Sequence, residues 1–455
     1  MSAIADAAAR AVEAVTDRLP GAEVVVEVER AEDHLTRFAD SAIHQNVADD
    51  TWSVGVTAHH EGRTLTVTSD LAGAGDGESL TALAERLVSS LPLAPRDPRW
   101  PGVAERAEVP APAEQPGTSP VERADAVAAF VDGAGGLPAF GYVRTERAHV
   151  AVATSGGQLA TMLTCATAID GIASLDGVDG VFRRRAHTLA ELDPHAAGAL
   201  AAAKARAAQD AVELEPGRYE VVLEPTAAAN IVSTLALYGF NGRMALDGAS
   251  FVEVGAEQLD PAITVVDDAP GWGVTIDGEG TPTQRHVLVD AGRSTMLAHD
   301  RRTAAEAGAR STGHGFGIGM PVPAHTRIEA GPQAPAPAAA PAHVNPAAAP
   351  LLPGAGASSR ALLVSDFWYT RVLDPRQVTV TGLTRNGVWL VEGGEIVGAV
   401  ANVRFTQSYP GALAPGQVLG VGPVAVTDPS SWSATAYGAP ALHLASWNVT
   451  GNASG

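Results

Sequence analysis

Cysteine occurs once in the 455 residues, at Cys165, and lysine once, at Lys204. A single thiol excludes internal disulfides and Cys-rich zinc sites. Cys165 lies in an apolar strand pattern, Met162 to Ala168, and reads as a buried structural thiol. A phosphate-binding loop of the Walker type needs Gly-Lys-Ser/Thr, whereas Lys204 is flanked by Ala203 and Ala205. No Ser stands three residues before it, so a Ser-x-x-Lys nucleophile is excluded too. Any Schiff-base chemistry would rest on that one amine. No run of about 18 apolar residues exists, so no helix is expected to span a membrane. Met1 to Pro20 carries Asp6, Arg10, Glu13, Asp17 and Arg18 and lacks the apolar core of a secretory signal. The chain therefore reads as soluble and cytoplasmic.

Positive charge is also scarce. Lys and Arg total 30 against 51 Asp and Glu, a net charge of -21. Such a surface repels phosphate backbones and anionic lipid, which argues against nucleic acid and membrane as partners. Apolar residues make up 46%, enough for a real core.

The pattern of what is present gives an α+β fold. Ile4, Ala8, Val12, Val15 and Leu19 recur at helical spacing and stop at Pro20-Gly21. Strands are expected at Val24 to Glu29 and His34 to Asp40. A hairpin follows from Trp52 to Thr68, turning at Gly62, and a helix from Ser79 to Leu91. After a Pro-rich connector the order returns: helix at Val121 to Val131, strands at Tyr142 to Ala153, Gln158 to Thr167 and Ile172 to Val181, helix within His187 to Val212. Residues 1–213 thus form an N-terminal α/β domain, in an order that two similar halves would give. Residues 214–455 open with a strand, Tyr219 to Leu223, and a helix, Pro225 to Tyr238. They continue as a β-rich C-terminal domain with strands such as Gln377 to Thr381, Gly387 to Glu392, Glu395 to Phe405 and Val418 to Val426. The Ala/Pro stretch near 330–350 has little to pack and reads as a flexible surface insert.

Chemistry-bearing motifs are sparse. Among 13 His, only His59 and His60 adjoin, and adjacent strand residues point to opposite faces, so they do not chelate one ion. No Gly-x-Ser-x-Gly occurs. The run Gly313 to Gly319 reads as a mobile loop rather than a phosphate cradle. Arg183-Arg184-Arg185 reads as a solvated face. The segment Asp366-Phe367-Trp368-Tyr369-Thr370-Arg371 is different. Three consecutive aromatics on a strand cannot all face a core, and aromatics are only 5% of the chain. Asp366, Phe367, Trp368, Tyr369 and Arg371, with Asn402 and Arg404 on a later strand, are the candidates for peptide or partner contact. Arg404 has the forked donors that hold a carboxylate or carbonyl. From residues alone, no catalytic or metal-ligating set is visible, and a stand-alone peptide-binding or scaffold protein fits.

Asp366 to Pro375 with Thr381 to Gly387 resembles the C-terminal signature of the TldD/PmbA (TldD/TldE) family. Thr36 to Asn46, Ile276 to Thr283, Ser311 to Gly313 and Asn402 to Ser408 follow in that family's order. The resemblance implies an N-terminal α/β region and a β-rich C-terminal region. It also implies a heterodimeric zinc metallopeptidase acting on unfolded or modified peptides. There the TldD-type subunit carries His-Glu-x-x-x-His on a helix after the first strand of the second domain. On the corresponding helix, Ser233, Thr234 and Tyr238 stand at those positions, and no His occurs between His195 and His286. The resemblance therefore points to the TldE/PmbA-type subunit. Zinc and catalysis would belong to a TldD-type partner, with no cofactor in this chain.

Overall fold

A computed structural model describes residues 2–113, 117–316, 320–332, 340–357, 360–429 and 435–453. The first 207 residues run α1 (Ala3–Thr16), β1 (Glu23–Ala39), β2 (Ala42–His60), β3 (Arg63–Leu71) and α2 (Gly77–Ser90). They then run α3 (Pro120–Gly133), β4 (Ala139–Thr154), β5 (Leu159–Leu175), β6 (Val178–Ala186) and α4 (Pro194–Ala207). Each half is a helix, two long strands, a nine-residue strand and a helix. The halves join where β1 pairs antiparallel with β4, giving the order β3-β2-β1-β4-β5-β6. Alternation explains the register: Val24, Val26 and Val28 are buried under α1 and α2, and Val143 and Ile169 under α3 and α4. Helices α3 and α4 cross closely because each has a glycine at the contact. A Cβ on Gly198 would lie 2.0 Å from the Phe130 carbonyl oxygen.

Two strand expectations change here. The two expected strands, Val24 to Glu29 and His34 to Asp40, are one continuous strand, β1, which ends at Ala39 with Asp40 in the turn. The stretch Ile172 to Val181 is broken by Asp176 and Gly177, both at positive φ, so it belongs to β5 and β6. A two-residue turn there costs little and lets both strands pair in full.

The rest of the chain continues with β7 (Gly217–Leu223), α5 (Pro225–Tyr238), α6 (Gly242–Leu246), β8 (Val265–Asp268), β9 (Arg285–Asp290), β10 (Arg293–Ser294), α7 (Arg301–Ala307) and β11 (Thr326–Ile328). It ends with β12 (Ala361–Asp374), β13 (Thr379–Glu392), β14 (Glu395–Ala399), β15 (Val403–Ser408), α8 (Tyr409–Ala412), β16 (Val418–Val421), β17 (Val426–Asp428), β18 (Tyr437–Ala439) and β19 (Leu442–Asn452). The segments Gln377 to Thr381 and Gly387 to Glu392 fuse into β13. Glu395 to Phe405 and Val418 to Val426 each divide in two.

Strands β12, β7, β19, β15 and β13 pair in that order, and β12 also pairs with β13, which closes a five-stranded barrel. Phe367, Phe405, Tyr409 and Trp447 fill it, with ring centroids 4.5 to 5.9 Å apart. Strands β8 to β11, β17 and β18 instead extend the first sheet to twelve strands, so that sheet crosses residue 213. Helix α5 is wedged between, packed on β12 of the barrel and on β11, β17 and β18 of the sheet.

The Ala/Pro stretch near 330–350 is corrected in part. Residues 333–339 lie outside the described residues, but Val344, Ala347, Ala348 and Ala349 are buried against the barrel, near Trp389. Val344, Ala348 and Ala349 share a hydrophobic cluster with Trp389, and the His343 ring lies 4.9 Å from its indole.

The only lysine is structural. Lys204 Nζ is 2.5 Å from Glu224 Oε2, and both side chains are at most 3% exposed. The Asn345 N–H donates to the other carboxylate oxygen at 2.8 Å. Replacing Lys204 by Met strands a buried anion and should cost about 3–5 kcal/mol in urea unfolding; adding Glu224→Gln should recover most of that loss.

Candidate functional site at the barrel rim

Along β12, outward and inward positions alternate. Asp366 points outward onto the large sheet, Phe367 inward to the aromatic core, and Trp368 outward again. Tyr369 would then turn inward. Instead it has φ 54°, and the pairing with β13 shifts between Trp368 and Arg371. Left-handed backbone at a bulky residue is unfavourable by about 1–2 kcal/mol. The bulge turns the Tyr369 ring to the surface beside Trp368, at 64% and 44% exposure respectively.

Guanidinium groups brace both rings. Arg385 lies 4.4 Å over Trp368, and Arg371 lies 4.5 Å over Tyr369. Across the barrel wall Trp368 is opposite Leu383, which is opposite Arg404 on β15, so these three share the outer face. Asn402 is exposed two residues earlier, beside Thr384. The structure thus brings Trp368, Tyr369, Arg371 and Arg404 to one surface. It removes Asp366 and Phe367 from that surface: Asp366 is 3% exposed and Phe367 is 5% exposed.

Asp366 is held by Arg183, whose Nη1 donates to it at 2.6 Å while Nε donates to Asp170 at 3.1 Å. Burial pushes the Asp366 carboxyl up to about 6, against the pull of Arg183. Asp428 on β17 is pushed well above its ordinary range by burial and by Asp366. The Arg triplet is therefore not a solvated face. Arg183 ties the sheet to the barrel, and Arg185 pairs with Glu146 at 3.2 Å.

Helix α5 reaches the same rim. Ser233 and Thr234 donate their hydroxyls to the Asn230 carbonyl at 3.1 and 2.8 Å, and Tyr238 is half-buried. Two hydroxyls turned back on their own helix and a phenol do not fit a zinc ion, which takes imidazole, thiolate or carboxylate. Among the described residues no group of three or more His, Cys, Asp or Glu has the arrangement of a metal site.

Sequence reasoning missed Asn230. Its amide donates to Thr370 Oγ1 at 3.1 Å, and its oxygen accepts from the Tyr409 hydroxyl at 2.7 Å. It pins the bulge to α5 and to the barrel core. The available signal was one amide within an otherwise Ala- and Leu-rich helix.

The other signature segments lie elsewhere. Thr36 to Asn46 spans the tip of the β1–β2 hairpin. In the turn at Ile276 to Thr283, the Asp277 carboxylate accepts from the backbone N–H groups of Glu279, Thr281 and Gly315. Burial, with Glu279 nearby, raises Asp277 to about 7; burial, with Glu29 nearby, raises Glu27 to about 7. His314 is buried and paired with Asp267 at 3.2 Å, while the last three residues of the run Gly313 to Gly319 lie outside the described residues.

A family model described as the PmbA/TldA metallopeptidase C-terminal domain matches residues 216–451. TldE from Thermococcus kodakarensis is 17% identical, with a TM-score of 0.80, over 98% of this chain and 100% of that one. A Thermotoga maritima protein described as a candidate modulator of a DNA gyrase is 17% identical, TM-score 0.78, over 98% and 99%. One from Bacteroides thetaiotaomicron with a similar description is 14% identical, TM-score 0.77, over 98% of each. No curated protein gives a significant match.

Asn230→Ala leaves the buried Tyr409 hydroxyl without its acceptor and should lower stability by about 1–3 kcal/mol, read by chemical unfolding. The raised carboxyls also set a pH dependence. Glu27, Asp277 and Asp366 keep protons up to about 7, 7 and 6, and the unfolded chain releases them near its ordinary values. Their contribution is full at low pH and lost as pH rises through those values. His325, lowered to about 4 by burial, acts in the opposite sense, but only below its ordinary 6.5. The thermal midpoint should therefore be higher at pH 6.5 than at pH 8, and Glu27→Gln should narrow that gap.

Proposed function

This chain belongs to the PmbA/TldA metallopeptidase family through its C-terminal domain, and on that premise we propose that it is the non-catalytic subunit of a heterodimeric zinc peptidase. The observation that carries this reading is the rim formed by α5 and β12. A helix bearing Ser233, Thr234 and Tyr238 offers no zinc ligands, yet Asn230 fastens it to a strained bulge that presents Trp368 and Tyr369. Strain at an exposed aromatic is worth keeping where the side chain has work to do. Aromatic faces and guanidinium planes contact extended peptides without demanding one side chain, which suits a peptidase acting on unfolded or modified peptides. In this reading the chain completes the substrate chamber. The zinc and the general base reside in a TldD-type subunit carrying His-Glu-x-x-x-His.

The test is co-expression with a TldD-type chain encoded in the same genome. Zinc content and peptide hydrolysis should appear in the pair and not in this chain alone. Trp368→Ala with Tyr369→Ala should lower activity of the pair by about tenfold or more. The same double variant should change this chain's own stability by about 1 kcal/mol or less. Zinc-dependent hydrolysis by this chain alone would overturn the reading. A chain that captures peptides but never pairs with such a subunit would be a stand-alone binding protein instead.

A further inference from the structure

Carboxylates outnumber cationic side chains in this protein, 51 Asp and Glu against 30 Lys and Arg. Several arginines accordingly bridge two of them. Arg30 takes Glu32 and Asp50, Arg144 takes Asp33 and Glu146, and Arg327 takes Asp268 and Glu329. The barrel rim is different. Among the described residues, Arg371, Arg385 and Arg404 have neither a carboxylate at ion-pair distance nor a hydrogen-bond acceptor for their guanidinium groups. Thr381 stands opposite Arg371, and Leu383 and Gly451 stand opposite Arg404. Asp366 stands opposite Arg385, but its carboxylate is held by Arg183.

Two of these cations are already positioned. Arg385 is stacked on Trp368 at 4.4 Å and Arg371 on Tyr369 at 4.5 Å. A stacked guanidinium keeps its N–H edge free for a carboxylate. Trp368 and Arg404 are two strands apart, a width of about 10 Å. One carboxylate does not span that width. Alternate side chains of an extended peptide lie about 7 Å apart on one face, so a single peptide strand brings two carboxylates across it. The same surface offers apolar contact at Trp368, Tyr369, half-buried Leu383 and exposed Leu373.

We propose that the rim selects acidic segments of extended peptides. Asp or Glu side chains of the peptide pair with Arg371, Arg385 and Arg404, and its apolar side chains rest on Trp368 and Tyr369. The proposal rests on the reading of the rim as a peptide contact and names the substrate class. Stacking on the rings gives tolerance, and the guanidinium groups add a preference to it. Charge complementarity carries the choice: on a chain of net charge -21, three neighbouring unpaired cations attract an acidic segment that the net charge repels. A long polyanion such as single-stranded nucleic acid would reach beyond the rim and meet that repulsion. A lone chain-terminal carboxylate would use only part of the cationic width.

Fluorescence anisotropy on the full chain tests this, with a short labelled peptide of Glu, Leu and Gly amidated at its C-terminus. The peptide should bind saturably, and more weakly as salt is raised. Replacing its Glu by Gln should weaken binding by about tenfold or more, since several exposed ion pairs are lost together. Arg371→Gln with Arg404→Gln should cause a similar loss, and Arg371→Lys with Arg404→Lys should recover part of it. Thermal midpoints report that each variant folds. No saturable binding, equal binding of the Gln peptide, or indifference to the double Gln variant would overturn the proposal. So would a Gln peptide with a free C-terminus that binds as well as the Glu peptide, or tighter binding of a single-stranded oligonucleotide at the same arginines. Binding is measured on this chain alone, so failure of the proposed pairing with a TldD-type subunit is a separate result.

Discussion

A guanidinium buried between two sheets must be shared by carboxylates, and Arg183 meets that requirement across 183 residues of sequence by binding Asp366. Asp170 fixes its other end from within the same sheet. Because the pair is largely desolvated, breaking one side leaves the other charge stranded. The large sheet and the barrel are thus locked in one relative position at β6 and β12. Everything on the outer face of β12 beyond Asp366 is placed by that contact.

From that anchor the rim follows. Phe367 enters the aromatic core, Trp368 turns out, and the bulge at Tyr369 prevents the next ring from entering. Closure of the barrel removes the β12 edge where the bulge would otherwise invite unpairing. Asn230 then answers two needs together. It satisfies a buried phenol at Tyr409 and holds Thr370 at the bulge. The helix that carries it packs on both sheets, so bulge, barrel core and sheet junction move as a unit.

Much of the fold could be read along the chain. The helices at Ala3, Gly77, Pro120, Pro194 and Pro225 are marked by amphipathic spacing, by Pro at the first turn or by Ser and Asp caps, all of which are local. Alternation gives the hairpins within Trp52 to Thr68 and Tyr142 to Thr167, but not Ala42 to Thr51, the exposed first half of β2. What was misread is non-local. Arg183 and Arg185 look like solvent-facing charges until their partners at Asp366, Asp170 and Glu146 arrive from other strands. Val344 to Ala349 look unpackable until the barrel is laid against them. Of the site residues, Trp368, Tyr369, Arg371 and Arg404 reach the surface. Asp366 and Phe367 do not, since strand polarity tells that neighbours face opposite ways but not which way.

By itself the sequence determined the α+β class, the repeated helix–strand–helix order and the family resemblance, and it excluded disulfide, Walker-loop and Ser-x-x-Lys chemistry. These depend on residue identity and short spacing, which need no partner in space. Only the tertiary structure decided that the single lysine is a buried ion pair, that the aromatic strand is divided between core and rim, and that, among the described residues, one segment covers Leu159 to Ala166 of β5 and none covers Ala42 to Thr51 of β2. Each of those depends on which segment arrives from far along the chain to satisfy a charge, fill a core or cover a backbone edge.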